Sequence, residues 1–538
     1  MRGTRRPAWA AAAVCAFIAA IAPVASAHQA PPVPKLEWQP CGDAPNVTCT
    51  TASVPLDYDA PNGKGIKLFL AKSPATDQAH KIGSLFINFG GPGGTTADTF
   101  EAAGAEAFPG LNQRYDIIGM DVRGVGQSQP SIDCKVNQET DGIYSQPFTT
   151  PDNLDVGALV RKDQRYISRC ISLNREILPH VSTANVARDI DLLRQALGEQ
   201  KITYFGYSYG TFLGATYASM FPHNYRAMVL DGPVDASDYI NQPLDDLSAQ
   251  SGGFERALGH FFEACAADAT ACKGFGAGDP RDSYDQLIDA LDAAPIPAAG
   301  YTPDPRPVDG DDALIATALA LYNKGSWPFL AQALADATHG DGSRLRLAAD
   351  AYYARNPDGS YDPGGDRYFT IGAVEQRYPK GDVGLYLRAG KRSWSEHDHT
   401  WWNNGYTELN YGLWPIHDRD AFDGPFKIPS SSATPLVVAT TYDPATPYRG
   451  AKSLVRDLGN ARLLTMRGDG HTAYPDNSAC VDSAVEAYLD AGTLPAPGTT
   501  CRQQVPFGAA QAQVQALKVT PIAPLQPAPH EKSLVPLH

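Results

Sequence analysis

Lys201-Ile202-Thr203-Tyr204-Phe205-Gly206-Tyr207-Ser208-Tyr209-Gly210 is the stretch on which the fold turns. Residues 201–205 are strand-like, Gly206 and Gly210 bracket one serine, and 211–220 read as a helix of small and apolar residues ended by Phe221-Pro222. A strand that feeds so tight a turn and then a helix has the form of a nucleophile elbow. Only glycine-sized neighbours fit there, and the serine hydroxyl is pushed out at the top of a sheet. Ser208 is therefore the candidate nucleophile. With glycine at 49 of 538 positions, the five-residue pattern alone would arise by chance roughly 0.2 to 0.3 times, so its surroundings have to decide.

Outward from the elbow, Ile66–Ala71, Ser84–Phe89, Tyr115–Met120 and Tyr225–Leu230 read as strands. The second runs into Gly90-Gly91-Pro92-Gly93-Gly94 and the third into the glycine-punctuated turn 121–128. Val186, Ile190, Leu193 and Leu197 form one apolar helix face closed by Gly198. Alternating strands and helices predict a mostly parallel α/β sheet. From 232 to 433 the chain is loop-rich and helical, with Tyr and Trp clusters, and reads as an inserted cap. The sheet pattern resumes with a strand at Pro435–Thr440, a helix at Gly450–Leu458, a strand at Ala461–Met466 and a helix at Val481–Leu489. The predicted organisation is a leader at 1–27, core at 28–231, cap at 232–433, core again at 434–501 and a Pro-rich, extended or disordered tail at 502–538.

Arg2, Arg5 and Arg6, an apolar stretch 8–24 and Ala25-Ser26-Ala27 have the form of a secretory leader, with the mature chain starting near His28 and the product outside the cell. Arg5-Arg6 hints at twin-arginine export. The formal charge is −15, and more negative without the leader, which argues against nucleic acid or an anionic membrane as partner. After Cys15 in the leader, eight cysteines remain, an even number that favours disulfides in an exported chain. Loop-local pairing is the simplest scheme: Cys41 with Cys49, Cys134 with Cys170, Cys265 with Cys272, Cys480 with Cys501. Nothing in their spacing suggests zinc, and neither a metal nor another cofactor is expected. A monomer is the working expectation.

A serine hydroxyl needs a base, and the base needs a group that holds its tautomer and balances its charge. His471 follows the 461–466 strand on a loop in Arg467-Gly468-Asp469-Gly470-His471. Asp443, just past the 435–440 strand, and Asp231, at the end of the strand before the cap, compete as the acid. The penultimate strand is the usual source in elbow-bearing sheets, which favours Asp443. Asp469 reads as a turn residue. Negative charge building on a carbonyl oxygen calls for two backbone donors: Tyr209 supplies one, and the Gly90-Gly91 loop the other.

GGPGG, DVRGVG, GYSYGTFLG, MVLDG, YDPATP and GHTAYPDNSAC occur in an order that resembles secreted actinobacterial tripeptidyl aminopeptidases, α/β-hydrolase serine peptidases related to prolyl aminopeptidases. The resemblance runs from about Trp38 to Cys501 and is strongest in the core. It implies Ser208 as nucleophile, Asp443 as acid, His471 as base and an oxyanion hole from Tyr209 with Gly90 and Gly91. It also implies an exopeptidase that releases short peptides, tripeptides among them, from substrates with a free amino terminus. The cap departs from the family pattern: where relatives often carry a cysteine before a Trp-Pro, this chain reads Asn410-Tyr411-Gly412-Leu413-Trp414-Pro415.

Aminopeptidase action needs a carboxylate for the substrate ammonium, and Asp235, Glu255, Glu396 and Asp398 are the candidates. In residues 394–402, His397 and His399 could be read as metal ligands, but no third ligand is placed; an aromatic wall of the cap pocket is the preferred reading. A carboxylesterase or amidase acting on small substrates, and a non-catalytic protein that keeps the fold, are the alternatives.

Overall fold

The structure, a computed structural model, describes residues 3, 30–42, 44–276, 278–301, 305–403 and 405–507. The described residues from 31 to 507 belong to one compact unit. The predicted leader, apart from Gly3, and the tail from 508 lie outside the described residues.

Among the described residues ten strands build a single sheet: β1 (Gln39–Pro40), β2 (Thr48–Pro55), β3 (Gly65–Ser73), β4 (Gly83–Asn88), β5 (Tyr115–Asp121), β6 (Ile202–Tyr207), β7 (Tyr225–Asp231), β8 (Leu436–Tyr442), β9 (Arg462–Asp469) and β10 (Thr500–Arg502). Their order is β1-β2-β3-β5-β4-β6-β7-β8-β9-β10. The β1/β2, β2/β3 and β3/β5 pairs are antiparallel and the rest parallel. β6, the elbow strand, is central and buried along its whole length, as a strand covered on both faces must be. Side-chain alternation splits the core in two. Phe86, Tyr204, Leu230 and Val437 pack on one face with the helices Thr183–Ala196 and Tyr209–Met220. Leu85, Phe205, Val229 and Val438 pack on the other with Ala97–Ala103 and Ala479–Ala491. β2 escapes the sequence reading because its residues, TCTTASVP, are small and polar rather than an apolar run.

Between β7 and β8 the described residues form helices and turns and add no strand to the sheet. Part of this insertion has its own apolar centre, with Phe254, Phe261, Tyr284 and Trp327. The rest, including Phe369, Tyr411 and Trp414, merges with the core beside the sheet. The first residues of the expected tail, 502–507, are among those described. Arg502 belongs to β10, Gln503 and Gln504 are hydrogen-bonded to Asp469 and Ala479, and Phe507 packs edge-on to Phe261; ordered chain therefore continues past 501 because those amides and that ring have partners. Disulfides join Cys41 to Cys49, Cys134 to Cys170, Cys265 to Cys272 and Cys480 to Cys501. Among the described residues no helix is long and apolar enough to cross a membrane.

Candidate active site

Ser208 stands between β6 and the helix Tyr209–Met220 with φ 54° and ψ −126°, a backbone conformation that costs a non-glycine residue on the order of 1–3 kcal/mol. The turn is held by the Ser208 N–H donating to the Asp231 carbonyl at 2.9 Å, and by the Thr211 N–H donating to the Ser208 carbonyl at 2.8 Å. The flanking glycines are steric necessities. A Cβ on Gly206 would lie 2.2 Å from the Gly210 carbonyl oxygen, and one on Gly210 would lie 2.6 Å from that of Asn88.

At the ends of β8 and β9 the chain brings Asp443 and His471 together. Nδ1 of His471 lies 2.9 Å from both carboxylate oxygens of Asp443, and both residues are buried. Asp443 is fixed by three further donors, the N–H groups of Ala445, Thr446 and Thr472. Thr446 Oγ1 also lies 3.3 Å from His471 Nδ1. The other ring nitrogen, Nε2, is buried with no hydrogen-bond partner among the described residues, the condition a general base needs if that nitrogen is to take a proton.

Asp231, the competing acid, does something else. Its carboxylate accepts the N–H groups of Ala473 and Tyr474 at 2.8–3.1 Å, while its own carbonyl holds Ser208 N–H. It ties the serine turn to the loop just past His471. Burial pushes its carboxyl up to about 7.

Gly90 and Gly91 divide the part foreseen for them. The Gly90 N–H already donates to Asn88 Oδ1 at 3.0 Å, so it is not available to a substrate. Gly91 lines the cleft together with Ser208 and Tyr209. Gly90 instead permits close approach, since a Cβ there would sit 3.0 Å from Ser208 Cβ and 3.1 Å from Tyr209 N.

The cleft over Ser208 is closed on the far side by the insertion. Tyr239, Tyr368, Tyr378 and Tyr411 supply an aromatic wall, with Leu247 and Val234 beside them. Behind this wall, Tyr378 OH donates to the buried Glu408 at 3.3 Å and Tyr239 OH to the buried Glu375 at 3.4 Å. Burial pushes both carboxyls up to about 8. Two acids line the cleft itself. Asp235 caps the helix Ala236–Asn241, and the half-buried Asp246, whose N–H donates to the Gln242 carbonyl at 3.1 Å, turns its carboxylate to the cleft. Burial, reinforced by Asp235 and Asp238 and opposed by Arg449, pushes the Asp246 carboxyl up to about 7. Arg449 stands exposed at the rim.

The remaining predicted ammonium ligands are elsewhere. Glu255 is engaged with His399, accepting from its N–H and lying 2.7 Å from Nδ1, while His399 Nε2 lies 2.7 Å from Asp285. Both imidazole nitrogens thus face carboxylates, which raises the His399 pKa against the opposing effect of burial; the contacts are those of an ion pair rather than of a ligand awaiting a metal. Glu396 and Asp398 are exposed and outside the cleft. The tryptophans of 394–402 do not form its wall either: Trp402 stacks on Phe148 and Trp401 packs on Trp394. The wall uses Tyr411, from the segment that departs from the family pattern. Asp246 was missed by the sequence reading, although its spacing from Gln250 and Gly253 on the helix Pro243–Ala267 puts it on one face with them.

A family model described as the alpha/beta hydrolase fold matches residues 84–478, the span from β4 to the loop beyond His471. The chain belongs to the alpha/beta hydrolase fold family. It is 33% identical to the serine protease Hip1 of Mycobacterium tuberculosis over 87% of this chain and 91% of that protein. A Mycobacterium tuberculosis protein named carboxylesterase B is also 33% identical, over 87% and 90%. The tripeptidyl aminopeptidase of Streptomyces coelicolor is 29% identical over 87% and 86%. Family and relatives together make the chain a serine hydrolase with a serine peptidase among its near relatives.

Proposed function

We propose that this chain is an exported serine exopeptidase that releases short peptides, tripeptides among them, from free amino termini. Ser208 attacks the peptide carbonyl, His471 Nε2 takes its proton and delivers it to the leaving amine, and Asp443 holds the imidazole through Nδ1. Water then hydrolyses the acyl-enzyme by the same route. The N–H groups of Tyr209 and Gly91 receive the oxyanion, a contact worth about 3 kcal/mol for each well-placed donor.

The observation that carries the exopeptidase reading is the acidic end of the cleft. Asp246, beside Asp235, offers a carboxylate to a substrate ammonium in the same cleft as Ser208. The helical insertion 232–433, as a cap, limits how far a peptide can extend past that end. Four disulfides support export. A tripeptide anilide tests this reading: the free-amine form should be cleaved and its N-acetyl form left intact. Equal turnover of the two would overturn it.

The tyrosine-rich wall and the relative named carboxylesterase B favour a second reading, hydrolysis of small esters. It predicts that a short acyl ester outcompetes the tripeptide anilide in kcat/KM.

A further inference from the structure

One helix of the insertion, Pro243–Ala267, lies along the ends of the two strands that carry the acid and the base. Gln250 donates to the Ala445 carbonyl at 2.8 Å, and Gly253 sits so close to Pro444 that a Cβ there would be 2.3 Å from its carbonyl oxygen. Two turns further on, His260 reaches both strand ends. Its ring packs edge-on to Tyr442, with centroids 4.5 Å apart, and its Nδ1 lies 2.6 Å from Asp469 Oδ1. Tyr442 and Asp469 are register partners across β8 and β9, so each sits close in sequence to one of the two site residues, Asp443 and His471.

A second segment of the insertion closes on the same point. Lys324 Nζ donates to Asp469 Oδ2 at 2.8 Å, and the His471 N–H donates to the Tyr322 carbonyl at 2.7 Å. Gly470 is pressed against this turn, where a Cβ would stand 3.2 Å from the Tyr322 oxygen and 3.3 Å from Lys324 N. From the other side Gln503 holds the Asp469 backbone by both its N–H and its carbonyl. Asp469 is thus gripped through its carboxylate by the insertion and through its backbone by the core. Burial alone would raise the Asp469 carboxyl; the bonds from His260 and Lys324 more than offset it and hold the group below the usual carboxylate range.

We propose that Lys324 and His260 are positioning residues for the base: through Asp469 they register the His471 loop, so that seating of the insertion and alignment of the imidazole are one event. They touch neither substrate nor reacting atoms, and their effect belongs in kcat. The proposal rests on His471 being the base, and the experiment separates the two. The second-order rate of fluorophosphonate labelling and the kcat and KM for a tripeptide anilide are measured for wild type, Lys324→Met, Lys324→Arg and Asp469→Asn. Lys324→Met should lower kcat and the labelling rate about tenfold or more, with KM within about twofold, because misplacement of a base is felt in the transition state. Lys324→Arg, which keeps the cation, should recover most of the loss. Asp469→Asn, which keeps the Gln503 contacts, should behave like Lys324→Met and gives the readout independently should that variant not fold. Wild-type rates in Lys324→Met or Asp469→Asn, or a loss confined to KM, would overturn the proposal. Failure of the wild type to label would instead sink the serine and its base.

Discussion

The strand ends of the core and the helices of the insertion meet at one cleft, yet they are built in opposite ways. Ser208, Asp443 and His471 each follow a strand of the parallel sheet, and backbone groups fix them: the Asp231 carbonyl holds Ser208, three N–H groups hold Asp443, and the Tyr322 carbonyl holds His471. The cap side of the cleft is assembled by side chains from several helices, such as Asp246, Tyr368, Tyr378 and Tyr411. Backbone-fixed positions tolerate few residue types and leave motifs. Side-chain walls tolerate many, and the proposed function accordingly gives chemistry to the core and selectivity to the insertion.

The hardest test of that division is Ser208→Ala or His471→Ala. Each should lower kcat by up to about 10⁶, as removal of a member of a cooperating triad does, on free-amine and acetylated substrates alike. Ser208→Ala removes only a hydroxyl and should leave thermal unfolding close to wild type, whereas His471→Ala, which strips the buried Asp443 of its partner, should also lower the unfolding temperature. A variant that keeps more than a hundredth of wild-type kcat would take the chemistry away from these strand ends.

Gly253→Ala asks whether the two regions are as separable as the comparison implies. The added methyl group would meet the rigid Pro444 carbonyl rather than a yielding side chain, so the helix or the Asp443 loop has to shift. A displacement near 1 Å at a catalytic group can cost about 10²-fold. We expect kcat to fall about 10- to 100-fold although the substitution is made in the insertion. An unchanged kcat would show that the acid loop is insulated from the helix above it.

Asp246→Asn probes selectivity alone. Loss of a charged hydrogen bond of about 1.5–3 kcal/mol corresponds to about a 10- to 100-fold fall in kcat/KM for the free-amine tripeptide anilide. An acetylated ester should be hydrolysed as before. A loss shared by both substrates would make Asp246 structural and return the ammonium to Asp235.

The same contrast governs what the sequence disclosed. The elbow was legible because Gly206 and Gly210 have no room for a side chain, and His471 because it follows the last long strand. Asp443 was separable from Asp231 by strand order, although both are buried acids at strand ends. Which acids line the cleft was not legible. Glu255, Glu396 and Asp398 have the right chemistry, but one is paired with His399 and two face solvent, and only the packing of the insertion distinguishes them from Asp246. The aromatic wall was assigned to the tryptophans near 400 for the same reason: composition says that rings are present, while the cleft is made by whichever rings the helices turn inward. Asp469 read as a turn residue because its partners, His260 and Lys324, are remote in sequence.

The smallest effect is in pH. The Asp246 carboxyl, raised to about 7, is neutral below that pH and charged above it, whereas a peptide amino terminus is cationic below about 8. The two carry opposite charges together only between these values. The ratio of kcat/KM for the free-amine substrate to that for the acetylated ester cancels the titration of the base, which both substrates share. From pH 7.5 down to pH 6 the ionised fraction of a group with a pKa of 7 falls about eightfold, so the ratio should fall by at most about that factor, and it should fall again above pH 8 as the ammonium loses its proton. Asp246→Asn should flatten the acid side and leave the alkaline side. A wild-type ratio that is flat from pH 6 to 7.5 would mean that the insertion does not read the amino terminus through this carboxylate, and the cleft would then select by its tyrosines alone.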